Sequence, residues 1–309
     1  MGLLVVVNAP SERRADIVRV VFASLAFATS SPLARLATGL PPTVVACGRT
    51  AIAACVLFLC WPRAALHAYR GLSRRGLTGL FAAGACLGAH FALFLGGLAT
   101  TSFAAAVALL SLEPLAVVFV GWLAFGIAPK RPEWIGIALA TMGAFVVSRG
   151  IGMGEHRLVG DLMVVGAVGL YALYVAAARG LRDALPPVPY VAGVYAISSV
   201  VLVPWVFLAM PSVSSPVPQG TWLALVALAL VPTVVGHSLV QVAARTAPPA
   251  MVALTSPGET VGSLAIGALL LHRWPSPVEG AGAALIVMGA VVAIYGASMG
   301  TGERGGEVR

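Results

Sequence analysis

The sequence predicts an all-α integral membrane protein with ten transmembrane helices, arranged as two inverted five-helix repeats. Three observations carry this. The 309 residues are 59% hydrophobic and only 10% charged, against about 25% charge in a soluble domain. Apolar runs recur from about Ile17 to Gly300, which leaves no room for a separate soluble domain. The chain also repeats itself. Glu259 stands 146 positions after Glu113, the offset that also links Glu133 to Glu279, Met142 to Met288 and Gly143 to Gly289. Earlier in each half, Pro41-Pro42 and Gly48 map onto Pro186-Pro187 and Gly193 at an offset of 145.

Taken in order, the apolar runs give spans at about 17–37, 44–61, 77–98, 103–125, 133–148, 161–179, 189–209, 221–241, 249–271 and 278–298. Each is long enough, or nearly so, to cross about 30 Å of hydrocarbon as a helix. Short connections with Pro or Gly separate them, including Leu40-Pro41-Pro42, Pro129 to Pro132 and Trp274 to Pro277. Residues 1–16 read as a cytoplasmic leader rather than a signal peptide, because Glu12, Arg13, Arg14 and Asp16 follow the first apolar residues without a small-residue cleavage site. Residues 17–148 form the first repeat, 149–160 a linker, 161–298 the second repeat and 299–309 a cytoplasmic tail.

Lys and Arg fix the orientation, since they collect in short cytoplasmic loops. With the N-terminus inside, fourteen of the nineteen lie on the inner side and only Arg35, Arg149, Arg157 and Arg273 on the outer. Arg49 falls within span 2. Both termini are therefore expected in the cytoplasm. Five spans per repeat is odd, so the second repeat runs through the membrane upside down relative to the first, as in many secondary transporters.

Polar residues inside the spans are the candidate site. Phe103 to Phe125 is a 23-residue run whose single charge, Glu113, lies near its middle. A carboxyl at that depth costs several kcal/mol if it faces lipid, so Glu113 and its repeat mate Glu259 are expected to face a cavity. They would bind the amino group of a substrate or carry a proton. The alternative is a protonated acid bonding a backbone carbonyl freed by a proline. Pro114 and the pair Pro257-Gly258 lie beside the two acids and are expected to interrupt the helical ladder there, as hinges.

His90 and His237, 147 positions apart, are candidates for the cavity wall. Gln241, one turn beyond His237, is expected to share its face. Tyr171 and Tyr174 would offer ring faces to a cationic substrate. Arg49 would bind a substrate carboxylate; the alternative is a side chain that snorkels to the outer surface or pairs with Arg35 or an acid. Gly84 and Gly88 signal close helix packing. Cys47, Cys55, Cys60 and Cys86 form no CxxC pair and read as small core residues.

With these residues in view, the chain resembles the EamA-type transporters of the drug/metabolite transporter superfamily. The resemblance rests on Leu112-Glu113-Pro114 in span 4, the Gly-rich span 5 with Gly136 and Gly143, and the repeat ends Trp134 to Gly143 and Gly280 to Gly289. Ala89-His90-Phe91 leading into Leu98 to Ser102 agrees with it. Two places depart: Gly126-Ile127 and His272-Arg273 stand where family members often carry Gly-Glu. The resemblance implies a central cavity lined by spans 1, 3, 4, 6, 8 and 9, with spans 5 and 10 at the periphery. It implies export of amino acids, amines, drugs or nucleotide-linked metabolites.

No HExxH or GxxxxGK[ST] pattern occurs, so the sequence predicts no enzyme, cofactor or metal site. The function expected is a secondary active exporter of small amphipathic metabolites in a bacterial inner membrane. An uncoupled facilitator and an intramembrane enzyme are the alternatives. Partners are a small-molecule substrate and the lipid bilayer, not nucleic acid; a homodimer stays open. The orientation has a direct test. Single cysteines at Arg70 and Ser214, in a background without native cysteines, should be protected and labelled respectively by an impermeant reagent on intact cells. The reverse pattern overturns the orientation.

Overall fold

The computed structural model describes residues 10–125, 131–149, 156–181, 183–209, 216–246, 255–272 and 274–299. The leader's first nine residues, the tail after Met299, half of the linker, Gly126-Ile127 and Arg273 lie outside them. The described residues are helical, with no strand among them. In the first half they form α1 (Pro10–Ala28), α2 (Ser30–Leu36), α3 (Pro42–Cys60), α4 (Pro62–Arg70), α5 (Arg74–Thr100), α6 (Phe103–Leu110), α7 (Glu113–Phe125) and α8 (Arg131–Ser148). The second half has α9 (Leu158–Leu181), α10 (Pro187–Ala209), α11 (Gln219–Leu228), a π-helical segment (Ala229–His237), α12 (Ser238–Thr246), α13 (Thr255–Leu271) and α14 (Pro277–Met299). Among the described residues, six helical runs are long and apolar enough to cross a membrane, and four shorter apolar helices accompany them.

Helix packing follows a two-fold rule. Span 1 (α1 and α2) lies against α13 as its mirror, α9, lies against α7. The contact of α5 with α9 is repeated by that of α1 with the π segment and α12. The pairs α3–α10 and α8–α14 are their own mirrors. Inverted halves of one sequence must pack this way if they share a central axis.

Small residues let the helices meet. A Cβ on Gly143 would lie 2.7 Å from the Gly282 carbonyl, and one on Gly289 2.6 Å from the Gly136 carbonyl. The glycines that mark the repeat are therefore the points where α8 and α14 touch backbone to backbone. Gly84 and Gly88 do the same for α5 against α10, each 3.1 Å from a carbonyl, of Val194 and Ser198, if a Cβ is added.

Four expectations need correction. Span 4 is not one helix: it stops at Leu110, turns through Ser111 and Leu112, and restarts at Glu113. The break precedes the acid, so Pro114 sits in the first turn of α7, where its missing N–H costs least. Spans 1 and 8 are likewise interrupted, at Thr29 and by the π segment. The stretch Arg63 to Arg75, expected as a loop, contains α4. That helix starts at Pro62 and is amphipathic, and Tyr69 donates a 2.5 Å hydrogen bond to the Pro189 carbonyl. Burial pushes the Tyr69 phenol up to about 12, so it stays a donor. Cys55 and Cys60 are exposed rather than core residues.

Adding one methyl group at the α8–α14 crossing should overpack it, at a cost of about 1–3 kcal/mol. Gly143→Ala is expected to lower the melting temperature of the purified protein. Gly169→Ala in α9 meets nothing within 4 Å and should be neutral or stabilising.

Candidate functional site

The breaks in the spans explain how the site is built. A proline in a helix removes the donor for the carbonyl four residues back. Pro32 strips Ala28, and Ser263 of α13 donates to that carbonyl at 2.9 Å. Pro114 strips Leu110, and Ser256 donates to it across a long 3.5 Å. Pro232 strips Leu228, and Thr233 takes it at 2.7 Å. Ser111 and Thr260 also share a short hydroxyl–hydroxyl bond between spans 4 and 9. Hydroxyls thus replace backbone donors wherever the chain bends around the centre, as buried carbonyls require.

The cavity between these bends is lined by Phe27, Ser30, Arg49, His90, Phe91, Phe94, Leu110, Glu113, Tyr171, His237 and Glu259. Six of the eight substrate or proton candidates from the sequence meet there. Glu113 and Glu259 are only 6% and 7% exposed. The Leu110 carbonyl freed by Pro114 goes to Ser256, so it does not need Glu113. This favours a carboxyl turned to the cavity over one that mends the backbone.

Arg49 does not snorkel. It is 1% exposed, with Nε donating to the Thr233 hydroxyl at 3.0 Å and Nη1 to Ser30 at 3.5 Å. Its Cζ lies 4.1 Å from the centre of the Phe91 ring, a cation–π contact. The Thr233 hydroxyl accepts from Arg49 while donating to Leu228, so one side chain serves both the charge and the bend. The Thr233 carbonyl in turn accepts from Tyr195 at 3.0 Å. Arg49 adds span 2 to the lining that the resemblance implies. Its position in the second repeat is held by Val194, so the guanidinium breaks the site's symmetry.

His90 donates Nδ1–H to the Ala167 carbonyl at 2.8 Å, which leaves Nε2 for other partners. Its ring lies 5.4 Å from Tyr171 and 6.2 Å from Phe94. His237 packs edge-on against Phe27 and Phe91, at 4.8 and 5.8 Å. Its Nδ1 is buried without a hydrogen-bond partner among the described residues.

Tyr174 and Gln241 stand behind this wall rather than in it. Gln241 donates to the Tyr174 hydroxyl at 2.9 Å, and Tyr174 stacks on Tyr190.

Pro257 and Gly258 fall in the first turn of α13, and the residues before Thr255 lie outside those described. A Cβ on Gly258 would come within 2.9 Å of Ser24 Oγ. Gly258 is thus a packing point, and Pro257 alone would report a hinge.

The sequence reading missed Phe27, Ser30, Phe91, Phe94, Leu110 and Thr233. Thr29-Ser30-Ser31-Pro32 and Pro232-Thr233 did offer a signal, hydroxyls beside a proline in an apolar run. No group of three or more His, Cys, Asp or Glu able to hold a metal ion occurs among the described residues.

The sequence model of the EamA-like transporter family matches residues 16–149 and 158–295, one match per repeat. The chain belongs to the EamA-like transporter family. No curated protein sequence matches. Among solved structures, one titled a crystal structure of a protein aligns with a TM-score of 0.68 at 21% identity, covering 93% of this chain and 98% of that one. At that identity the likeness bears on the fold alone. This EamA-like transporter is accordingly a multi-pass membrane protein with two-repeat architecture, as its packing requires.

Removing the Thr233 hydroxyl takes one hydrogen bond from the buried guanidinium and one from the Leu228 carbonyl, a loss of about 1–3 kcal/mol. Thr233→Val should lower the melting temperature of the purified protein, while Thr233→Ser, which keeps both bonds, should not. Equal melting of the two variants would show that the hydroxyl holds neither group.

Proposed function

We propose that this transporter is a secondary carrier that exports small amphipathic metabolites bearing an amino group, amino acids or amines, by alternating access. One observation supports it most: two carboxyls and one guanidinium converge with two imidazoles on a cavity between inverted halves. One guanidinium cannot neutralise two carboxylates. The second acid then holds either a proton or the substrate's ammonium, which is the exchange a proton-coupled exporter performs. Arg49 suits a substrate carboxylate, and the rings of Phe91, Phe94 and Tyr171 suit its apolar part.

The cavity has a volume of about 30 Å³, room for two or three waters at roughly 10–15 Å³ each. A metabolite enters only if the halves move apart. That favours a carrier over an uncoupled facilitator, which needs a standing path. We also propose that ten spans cross an inner membrane with both termini cytoplasmic, on the distribution of Lys and Arg.

The two acids should not be interchangeable, because Glu113 is followed by its proline and Glu259 preceded by one. Removing a charged partner of the substrate costs about 1.5–3 kcal/mol, roughly tenfold to a hundredfold in rate. Glu113→Gln should lose transport of a cationic or zwitterionic substrate by that factor. Glu259→Gln should keep transport and flatten its pH dependence. The measurement is initial uptake into inverted vesicles over about pH 5.5 to 8.5, on either side of neutrality, with the substrate first found by thermal shift and counterflow. Parent-like transport by both variants at every pH would remove the acids from the mechanism.

A further inference from the structure

Outside the central cavity, one buried polar cluster has no part in the site described above. Thr101, at the end of α5, donates from Oγ1 to Asp161 Oδ1 at 2.8 Å and accepts from the Arg157 backbone N–H at 3.1 Å. His156 Nε2 meets Asp161 Oδ2 at 2.7 Å, and its Nδ1 faces Glu279 Oε1 at 4.0 Å. Ser102 donates to Glu279, whose other oxygen accepts from the Ser276 backbone at 2.9 Å. Arg35 of α2 donates to the Thr101 carbonyl at 2.7 Å. Thr101, His156, Asp161 and Glu279 are all buried.

The cluster joins α2 and the α5–α6 corner of the first repeat to the starts of α9 and α14 in the second. It lies along α5 from His90 and along α9 from Tyr171 by ten or eleven residues, about 15 Å at 1.5 Å per residue. It therefore caps one end of the cavity, the end on which Arg157 is exposed.

Its acids recur at the mirrored positions. Asp16 precedes Asp161 by 145 residues, and Glu133 precedes Glu279 by 146. A simple staple would have no reason to repeat at the other end. A gate that must close each end in turn would.

We propose that Thr101, His156, Asp161 and Glu279 form a latch that holds this end of the cavity shut and releases when the transporter opens toward it. These are positioning residues, which act on access and touch no substrate. The proposal rests on the alternating-access reading. A closed latch holds the starts of α9 and α14 against the α5–α6 corner; release lets the second repeat swing from the first at that end.

Labelling tests this without any substrate. In a background lacking Cys47, Cys55, Cys60 and Cys86, Leu110→Cys reports on the cavity, and Arg157→Cys identifies the face. An impermeant maleimide is applied to each face in turn. Thr101→Val and Asp161→Asn should speed labelling at position 110 from the Arg157 face by about fivefold, the population shift set by one hydrogen bond of ordinary net strength. Thr101→Ser should restore the parent rate. An unchanged rate from that face overturns the latch. So does a rate that rises equally from both faces, which would mean a loosened bundle. If Asp161→Asn does not fold, the Thr101→Val and Thr101→Ser pair decides alone. Latch variants that open while no solute is ever carried would sink the transport reading and leave the latch standing.

Discussion

A carbonyl without a donor is hard to keep inside a bilayer, and this structure is shaped by how three of them are served. Ala28, Leu110 and Leu228 each lose their helical partner to a proline four residues on, and each is met by a hydroxyl, from Ser263, Ser256 and Thr233. The bends that result put Ser30, Glu113 and His237 on one cavity. Without Ser263 and Ser256 the prolines of spans 1 and 4 would strand buried carbonyls at a cost of several kcal/mol in hydrocarbon. Bend and site are thus one arrangement. Two of the three hydroxyls come from α13, so span 9 mends spans 1 and 4 while carrying Glu259 itself.

The repeat was the most legible feature of the sequence, because it is written in residues that cannot drift freely. Gly143 and Gly289 hold their places since a Cβ at either would strike the opposite backbone. Glu113 and Glu259 stood out because a charge in an apolar run needs a reason. The breaks were less legible. A run such as Phe103 to Phe125 has the composition of one helix, and a two-residue turn removes too little to change it. The π segment was harder still. Its mark is a single-residue slip: the histidines are offset by 147 where the acids are offset by 146. A wider turn absorbs an extra residue and keeps His237 on the cavity, while Gln241, one turn on in α12, bonds Tyr174.

The partners of Arg49 were not legible in the sequence, for a physical reason. Long basic side chains near span ends usually reach water, and sequence alone does not reveal a threonine 184 positions away that accepts from Nε. Its buried place depends on Thr233, hence on Pro232 and the π turn. The two halves therefore differ most where they meet: one contributes a guanidinium, the other the bend that holds it.

That single guanidinium bears on how membrane voltage acts on the protein. In an alternating-access cycle, moving the opening from one face to the other moves the whole voltage drop past the charges in the cavity. Each net charge then contributes about 2.3 kcal/mol per 100 mV. Two carboxylates with Arg49 alone leave one negative charge exposed to that work. A proton or an ammonium group in the cavity removes it. Under the proposed alternating-access cycle, the resting potential would favour or resist reorientation according to what the cavity holds, and site stoichiometry would set the electrical cost.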